Sequence, residues 1–265
     1  MHIVNSKANS LKEKHKCISN TGHQFDEILD MHSIINKQEN TNPVKKATAE
    51  LVTQNLQANT IGAWLPLAAE HYCISPKLED YICVPVVIMP SDLPNRNGVA
   101  FPYSELTAFN PNPYVKKVAY QTWEAAPTFY EHNNSDYTKA KGVVFSVTIA
   151  PIKGSQGNLY KVITLCGFDR TKDSKLYDRI KSKSLSTYSM GSYCDSYHCS
   201  ICGKSYDEGA CSHFNINNPQ FKTFDTKYGP KLAYYEASGI CGFEVSAVET
   251  PAYVSAQNEY LLSLD

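Results

Sequence analysis

The sequence predicts an α+β fold centred on a β-barrel, and three observations carry that expectation. Apolar, β-branched runs recur from residue 81 onward: ICVPVVIM at 82–89, GVVFSVTIAPI at 142–152, LYKVITLCGFD at 159–169 and FEVSAVETPA at 243–252. Helical periodicity is confined to a few short stretches that do not alternate regularly with the strands. Turn chemistry separates the runs, with PSDLPNRNG at 90–98 and GSQGN at 154–158. Strands that follow one another this way, with one or two helices laid against them, form a closed or partly closed barrel.

Taken in order, the chain starts polar. Residues 1–24 hold little apolar content and are expected to be loosely held. Phe25, Ile28, Leu29, His32 and Ile35 recur at helical spacing, as do Ala47, Leu51, Val52 and Leu56 after a break at Asn40 to Pro43. Residues 59–75 read as irregular. Residues 1–78 therefore read as a helical or disordered N-terminal segment, 79–255 as the main domain, and 256–265 as a peripheral tail. Within the main domain, Ser104 to Phe109 reads as a short helical turn and Tyr120 to Trp123 as a brief strand. Thr128 to His132 reads as another strand, ending in the polar loop NNSDYTKAK. Residues 142–169 read as a hairpin. Asp169 to Lys183 reads as a helix, with Thr171 and Asp173 for capping and Leu176, Tyr177 and Ile180 on its apolar face. LSTYSMGSY at 185–193 is a strand. The stretch 221–240 reads as a hairpin turning near Gly229-Pro230, and 243–252 as the last strand.

Composition narrows the function. The formal net charge is −1 and the hydrophobic fraction 42%, so the chain can bury a core and has no basic excess for sequence-independent nucleic-acid binding. No apolar run is long enough to span a membrane, and the N-terminus has no signal-peptide core. A cytosolic protein is the expectation. Nine cysteines are then read as thiols rather than disulfides. Three of them belong to a cluster, and Cys17, Cys73, Cys83, Cys166, Cys194 and Cys241 are read as small buried hydrophobes.

The cluster is Cys199-x2-Cys202-x8-Cys211-x-His213, in a loop-rich insertion at 194–214. A Cys-x-x-Cys-Gly unit presents two thiolates to one tetrahedral ion, with Gly203 allowing the sharp turn that aims amides at sulfur. Four soft or borderline ligands fill a tetrahedron, so a closed, structural Zn2+ site is expected. His198 and Cys194 are rivals of His213 for the fourth place. Only Lys204 is basic within the loop, beside Asp207 and Glu208, which counts against a nucleic-acid-binding zinc ribbon.

Upstream of the cluster stands Ser189, followed by Met190 and Gly191. A serine attacks only when a base takes its proton. Of the eight histidines, His132 alone ends a strand and opens a polar loop, where site residues concentrate. Strand alternation puts Glu244 and Ser246 on the face opposite Phe243, Val245 and Ala247, so Glu244 is a candidate for the orienting acid. Asp169, at the end of its strand, is its rival.

Five segments in order resemble a known family. They are VIMPSDLPNRNGVAFPYSEL at 87–106, FYEHNNSDYTKAKGVV at 129–144, LCGFDRTKD at 165–173, STYSMGSYC with CSICG and CSH at 186–213, and GFEVSAVETPA at 242–252. Together they are similar to the prohead (capsid-maturation) serine proteases of tailed phages, in the branch that carries a zinc-ligand insertion. The resemblance covers roughly residues 80–255. It implies a herpesvirus-assemblin-like fold, a barrel with packed helices, and a serine endopeptidase with Ser189 as nucleophile and His132 as base. It points to Glu244 as the third member. It implies prohead scaffold or core proteins and the major capsid protein as substrates, inside the assembling prohead in the host cytoplasm, with cleavage after acidic residues. It also implies self-processing, for which Glu50, Glu70 and Glu259 are candidate sites. The resemblance suggests neither a membrane nor a specific nucleic-acid partner, and a homo-oligomer is open. The alternative is a non-catalytic, zinc-containing capsid scaffold or interaction protein.

Overall fold

A computed structural model describes residues 61–110, 117–155, 159–209, 211–215 and 220–258. The proposed helices at 25–35 and 47–56 lie outside the described residues, as do Glu50, Glu259 and Cys17. The body is strand-rich α+β: a six-stranded sheet curled into a half-barrel, a small three-stranded sheet continuing from it, and few helices.

The six strands of the main sheet are β1 (Tyr81–Pro90), β3 (Pro127–Tyr130), β4 (Gly142–Pro151), β5 (Tyr160–Asp169), β6 (Tyr188–Tyr193) and β11 (Cys241–Ala247). Their order is β1-β5-β4-β3-β11-β6, antiparallel except for the parallel pair β3 and β11. The hairpin expected at 142–169 is present, with Val143 opposite Gly167 and Pro151 opposite Tyr160.

The β-branched alternation of these strands gives the sheet two apolar faces. Val86, Ile88, Val144, Val162, Tyr188, Met190, Val245 and Ala247 fill the inner core. Phe129, Val143, Phe145 and Leu165 face outward against α1 (Ile61–Tyr72), whose Trp64, Leu65, Ala68, Ala69 and Tyr72 are buried on them. Within the stretch expected to be irregular, residues 61–72 are therefore helical, and packing against the sheet begins before residue 79. Spacing of the apolar residues at 64, 65, 68, 69 and 72 is the helical signal, and the boundary drawn at 78 cuts through this core. Ser75, just after α1, clamps the end of β5: its amide donates to Asp169 Oδ2 at 2.6 Å and its hydroxyl to Asp80 Oδ2 at 2.6 Å.

The described start of the tail, residues 256–258, is also part of the body. Residues 256–258 lie between the two edges of the curled sheet. Val87 N donates to Gln257 O at 3.0 Å on the β1 side, and Tyr188 N donates to Ala256 O at 2.9 Å on the β6 side. Ala256 and Asn258 are buried. Polar composition concealed this role, because a short strand satisfying two open edges needs backbone groups rather than apolar side chains.

Three further expectations shift. Tyr120 to Trp123 belongs to a 3-10 turn, Ala119–Trp123, not a strand. The helix α3 spans Ser174–Lys181, with Asp173 capping it by accepting from Leu176 N at 3.0 Å, while Asp169 organises the turn before it. The hairpin β8 (Thr223–Thr226) and β9 (Gly229–Leu232) stops at Leu232. Beyond it, β10 (Tyr235–Ser238) joins β2 (Val99–Ala100) and β7 (Ser196–Cys199) in the small sheet. The short helix expected near 104 is α2, Tyr103–Thr107.

Candidate functional site

One two-stranded ribbon carries both sites. From Cys199 opposite Tyr235, through Ser196 opposite Ser238, to Ser192 opposite Gly242, β7 and β6 run antiparallel to β10 and β11 in a constant register. At Phe243 the register slips by one residue. Beyond the bulge, Gly191 faces Glu244 and Ser189 faces Ser246. Bulges re-aim side chains beside them, and this one sits directly before Glu244. Trp123 lies over it: the indole Nε1 donates to Gly191 O at 3.1 Å, and a Cβ on Gly242 would stand 2.1 Å from the ring. Thr122 Oγ1 accepts from Gly242 N at 2.6 Å. Phe243, displaced outward, packs on Tyr193 at 4.6 Å between ring centroids.

Directly opposed residues of an antiparallel pair project to one face. Ser189, Gly191, Glu244 and Ser246 therefore share the outer face of the sheet, with Phe129 of the neighbouring β3 opposite Ser246. His132 reaches this face from the end of β3. Its approach depends on two successive left-handed residues, Glu131 at φ 52° and His132 at φ 54°, a conformation that non-glycine residues adopt only when their surroundings hold them. The surroundings do so here. Glu131 N donates to Ala247 O at 3.0 Å, and Glu131 Oε1 accepts from Glu249 N at 2.7 Å. Asn133 N and Asn134 N close the turn on Tyr130 O and His132 O.

The result is an oriented imidazole. His132 Nδ1 is 2.7 Å from Glu244 Oε1, and the other carboxylate oxygen accepts from Ser246 Oγ at 2.5 Å. Glu244 is 0% exposed and the His132 side chain 13%. The Nε2 atom is buried and has no hydrogen-bond partner. With Nδ1 donating to the carboxylate, Nε2 carries the lone pair. Ser189 is 3% exposed and sits on the strand next to Glu244. The structure thus brings His132 and Glu244 into contact and puts Ser189 on their face, without a hydrogen bond from Ser189 to Nε2.

Asp169, the rival acid, is occupied elsewhere. Its Oδ1 accepts from Thr171 N and Oγ1, both at 2.7 Å, and its Oδ2 from Ser75 N. These bonds join the end of β5 to the segment after α1, a structural role.

The second site lies at the far end of the ribbon. The ligand atoms of Cys199, Cys202, Cys211 and His213 all lie within 4.8 Å of one another, a group that could hold a metal ion. Gly203 has φ 70° and donates to Cys199 O at 2.8 Å, the sharp turn expected of Cys-x-x-Cys-Gly. Burial pushes the Cys199 thiol up to about 11, against the pull of the Cys202 and Ile201 amides. Burial also opposes ionisation of Cys211, yet the amides of Phe214 and His213, with Cys199 and the Tyr235 hydroxyl, bring it down to about 6. Amides aimed at sulfur, in a closed set of four donors, suit a thiolate-bound ion.

The fourth donor is His213. His198 Nε2 is paired with Ser196 Oγ at 2.8 Å, and Cys194 is buried near Ser192 Oγ. The cluster is less of a free insertion than its composition suggests, since Cys199 ends β7 and Phe214 plugs the core over Gly98, where a Cβ would stand 1.9 Å from the ring. Among the remaining cysteines, Cys166 and Cys194 are buried as expected, Cys83 and Cys241 are half-buried, and Cys73 is exposed. Among the described residues no helix is long and apolar enough to cross a membrane.

Comparison with protein-family models, with curated proteins and with solved structures returned no match.

Proposed function

We propose that this protein is a serine endopeptidase that matures a phage prohead, with Ser189 as nucleophile, His132 as general base and Glu244 as the acid that orients it. The observation that carries the reading is the 2.7 Å contact of His132 Nδ1 with a fully buried carboxylate, on the sheet face that also bears Ser189. A buried Glu paired to His Nδ1 fixes the tautomer and favours the imidazolium that forms during catalysis. Nε2 takes the Ser189 proton as Oγ attacks the peptide carbonyl, then returns it to the leaving amine. The acyl-enzyme is hydrolysed by water activated by the same nitrogen. The turn at Thr250-Pro251-Ala252 is one source of oxyanion amides; its Ala252 O accepts from Arg96 N at 3.1 Å, which ties it to the 90–98 turn.

The ordered resemblance supplies the biology: scaffold or core proteins and the major capsid protein as substrates, within the assembling prohead, and self-processing. We assign Zn2+ to the Cys199, Cys202, Cys211 and His213 cluster. Its three thiolates and one imidazole leave no position for water, so it would brace the ribbon rather than act on substrate. Of the candidate self-cleavage sites, Glu70 lies in α1, on an exposed position beside buried Ala69. Cutting there requires that helix to unwind, since a protease takes its substrate extended.

The burial of Ser189 and of His132 Nε2 favours a second reading, a non-catalytic zinc-containing capsid scaffold or interaction protein. On the protease reading the same burial describes an enclosed precursor whose site opens on processing. Intact-mass measurement separates the two. Wild-type protein co-expressed with its capsid and scaffold proteins should yield shortened products that Ser189→Ala does not. Identical masses in both would leave the scaffold reading standing.

A further inference from the structure

Glu244 reaches His132 by crossing Gly191. An ideal Cβ on Gly191 would lie 2.7 Å from Glu244 Oε1, 2.8 Å from its Cγ and 2.5 Å from Phe243 Cζ. The carboxylate therefore lies in the space left by the missing methyl group of the residue directly across the ladder. Gly191 is in extended backbone, so a positive φ does not explain it. Its other oxygen is taken by Ser246 Oγ at 2.5 Å, two residues along the same strand and opposite Ser189. One neighbour clears the path and the other fixes the rotation of the carboxyl group about its last bond.

We propose that Gly191 and Ser246 are positioning residues that hold the Glu244 carboxylate on His132 Nδ1. This rests on reading the pair as the base assembly of a hydrolase, yet the contact itself can be measured without turnover. With Ser246 removed, Oε2 has lost its donor and the carboxyl group can turn away from the ring. With a methyl group on Gly191, the side chain must leave its path. Neither residue touches substrate in this account. Both act through Glu244.

The test uses the full chain with metal bound. Ring-labelled histidine resolves the His132 Nδ1–H proton and the tautomer by NMR, and hydrolysis of a peptide spanning a mapped cleavage site gives kcat and KM. Ser246→Ala and Gly191→Ala should lose the hydrogen-bonded Nδ1–H signal and lower kcat about 100-fold with KM little changed, the effect of misplacing a catalytic group by about an ångström. Ser246→Thr, which keeps the hydroxyl, should retain both. A folded Ser246→Ala with the Nδ1–H signal of wild type overturns the proposal, whatever its kcat. Should Gly191→Ala fail to fold, Ser246→Ala decides alone, because it deletes a single atom. If neither the full chain nor its N-terminally processed form hydrolyses the peptide, the protease reading fails while the NMR arm still judges the positioning.

Discussion

Replacing His132 by alanine is the most informative single perturbation of stability. The ring covers one oxygen of a carboxylate that is 0% exposed, and only the Ser246 hydroxyl remains to it afterwards. Taking away the donor that a neutral imidazole gives to a buried carboxylate costs about 3 kcal/mol or more, the upper end of the cost of an unsatisfied buried acceptor because this one is charged. A cost of about 3 kcal/mol applies here, since one hydrogen bond survives and the space left by the ring, 13% exposed, admits water. For a domain of this size about 1 kcal/mol moves Tm by about 2–4 °C, so about 3 kcal/mol corresponds to a fall of about 6–12 °C. Glu244→Gln removes the charge but keeps an oxygen and two N–H donors for its neighbours. In that background His132→Ala should cost about 1–2 kcal/mol less, the coupling expected of residues in contact. Thermal melts of the two single variants and the double, each with metal bound, complete the cycle. A His132→Ala protein that melts within about 1 °C of wild type, or a cycle with no coupling, would refute the buried contact between ring and carboxylate.

Other outcomes follow from the same geometry. Ser189→Ala should lose about 10⁴–10⁶-fold in kcat, as for removal of a serine nucleophile, with Tm unchanged, because its hydroxyl holds nothing together in the described structure. Cys202→Ser, at an exposed ligand, should bind less than one zinc ion per chain by elemental analysis and lower Tm, since a closed site contributes folding energy. Gly242→Ala should cost about 1–3 kcal/mol by overpacking, as its methyl group meets Trp123 at 2.1 Å; urea melts measure this. Asp173→Ala should cost about 1 kcal/mol through loss of the α3 cap. Although burial opposes it, the Leu176 amide and Lys141 hold the Asp173 carboxyl below its ordinary value. Its contribution is therefore full above the unfolded pKa and disappears as pH falls through the lower folded value, so wild type and Asp173→Ala should converge in stability in acid.

Where a side chain's role is local, the sequence discloses it. The Asp173 cap and the Cys-x-x-Cys-Gly turn lie within a few residues of their partners, the two strands of the 142–169 hairpin are joined by one short turn, and all three take the expected form. Alternation alone places Glu244 and Ser246 on one face, and that face is the outer one. Roles that depend on distant chain are not legible in this way. Trp123 reads as a strand residue until Gly191 and Gly242 are seen beneath its indole. Gly191 reads as one glycine in a short strand, because the side chain occupying its space comes from 53 positions later. Residues 256–258 read as peripheral because what they do, joining the edges of β1 and β6, is performed by backbone groups that composition does not report. The helix at 61–72 escapes notice because Pro66 and a mixed flank blur a periodicity that tertiary burial on Phe129 and Phe145 makes decisive. The choice between Glu244 and Asp169 needed coordinates for the same reason: both are buried acids at strand positions, and only their partners differ.

A Ser189 nucleophile activated by His132 should react with an active-site serine probe. Treatment of the zinc-loaded protein with a fluorophosphonate, in full-length and N-terminally processed forms, followed by peptide mapping, tests it most directly. One adduct per chain is expected, on Ser189, in at least the processed form, and it should be lost in His132→Ala. Absence of an adduct from both forms, or an adduct on another serine that persists in His132→Ala, would contradict Ser189 as the nucleophile.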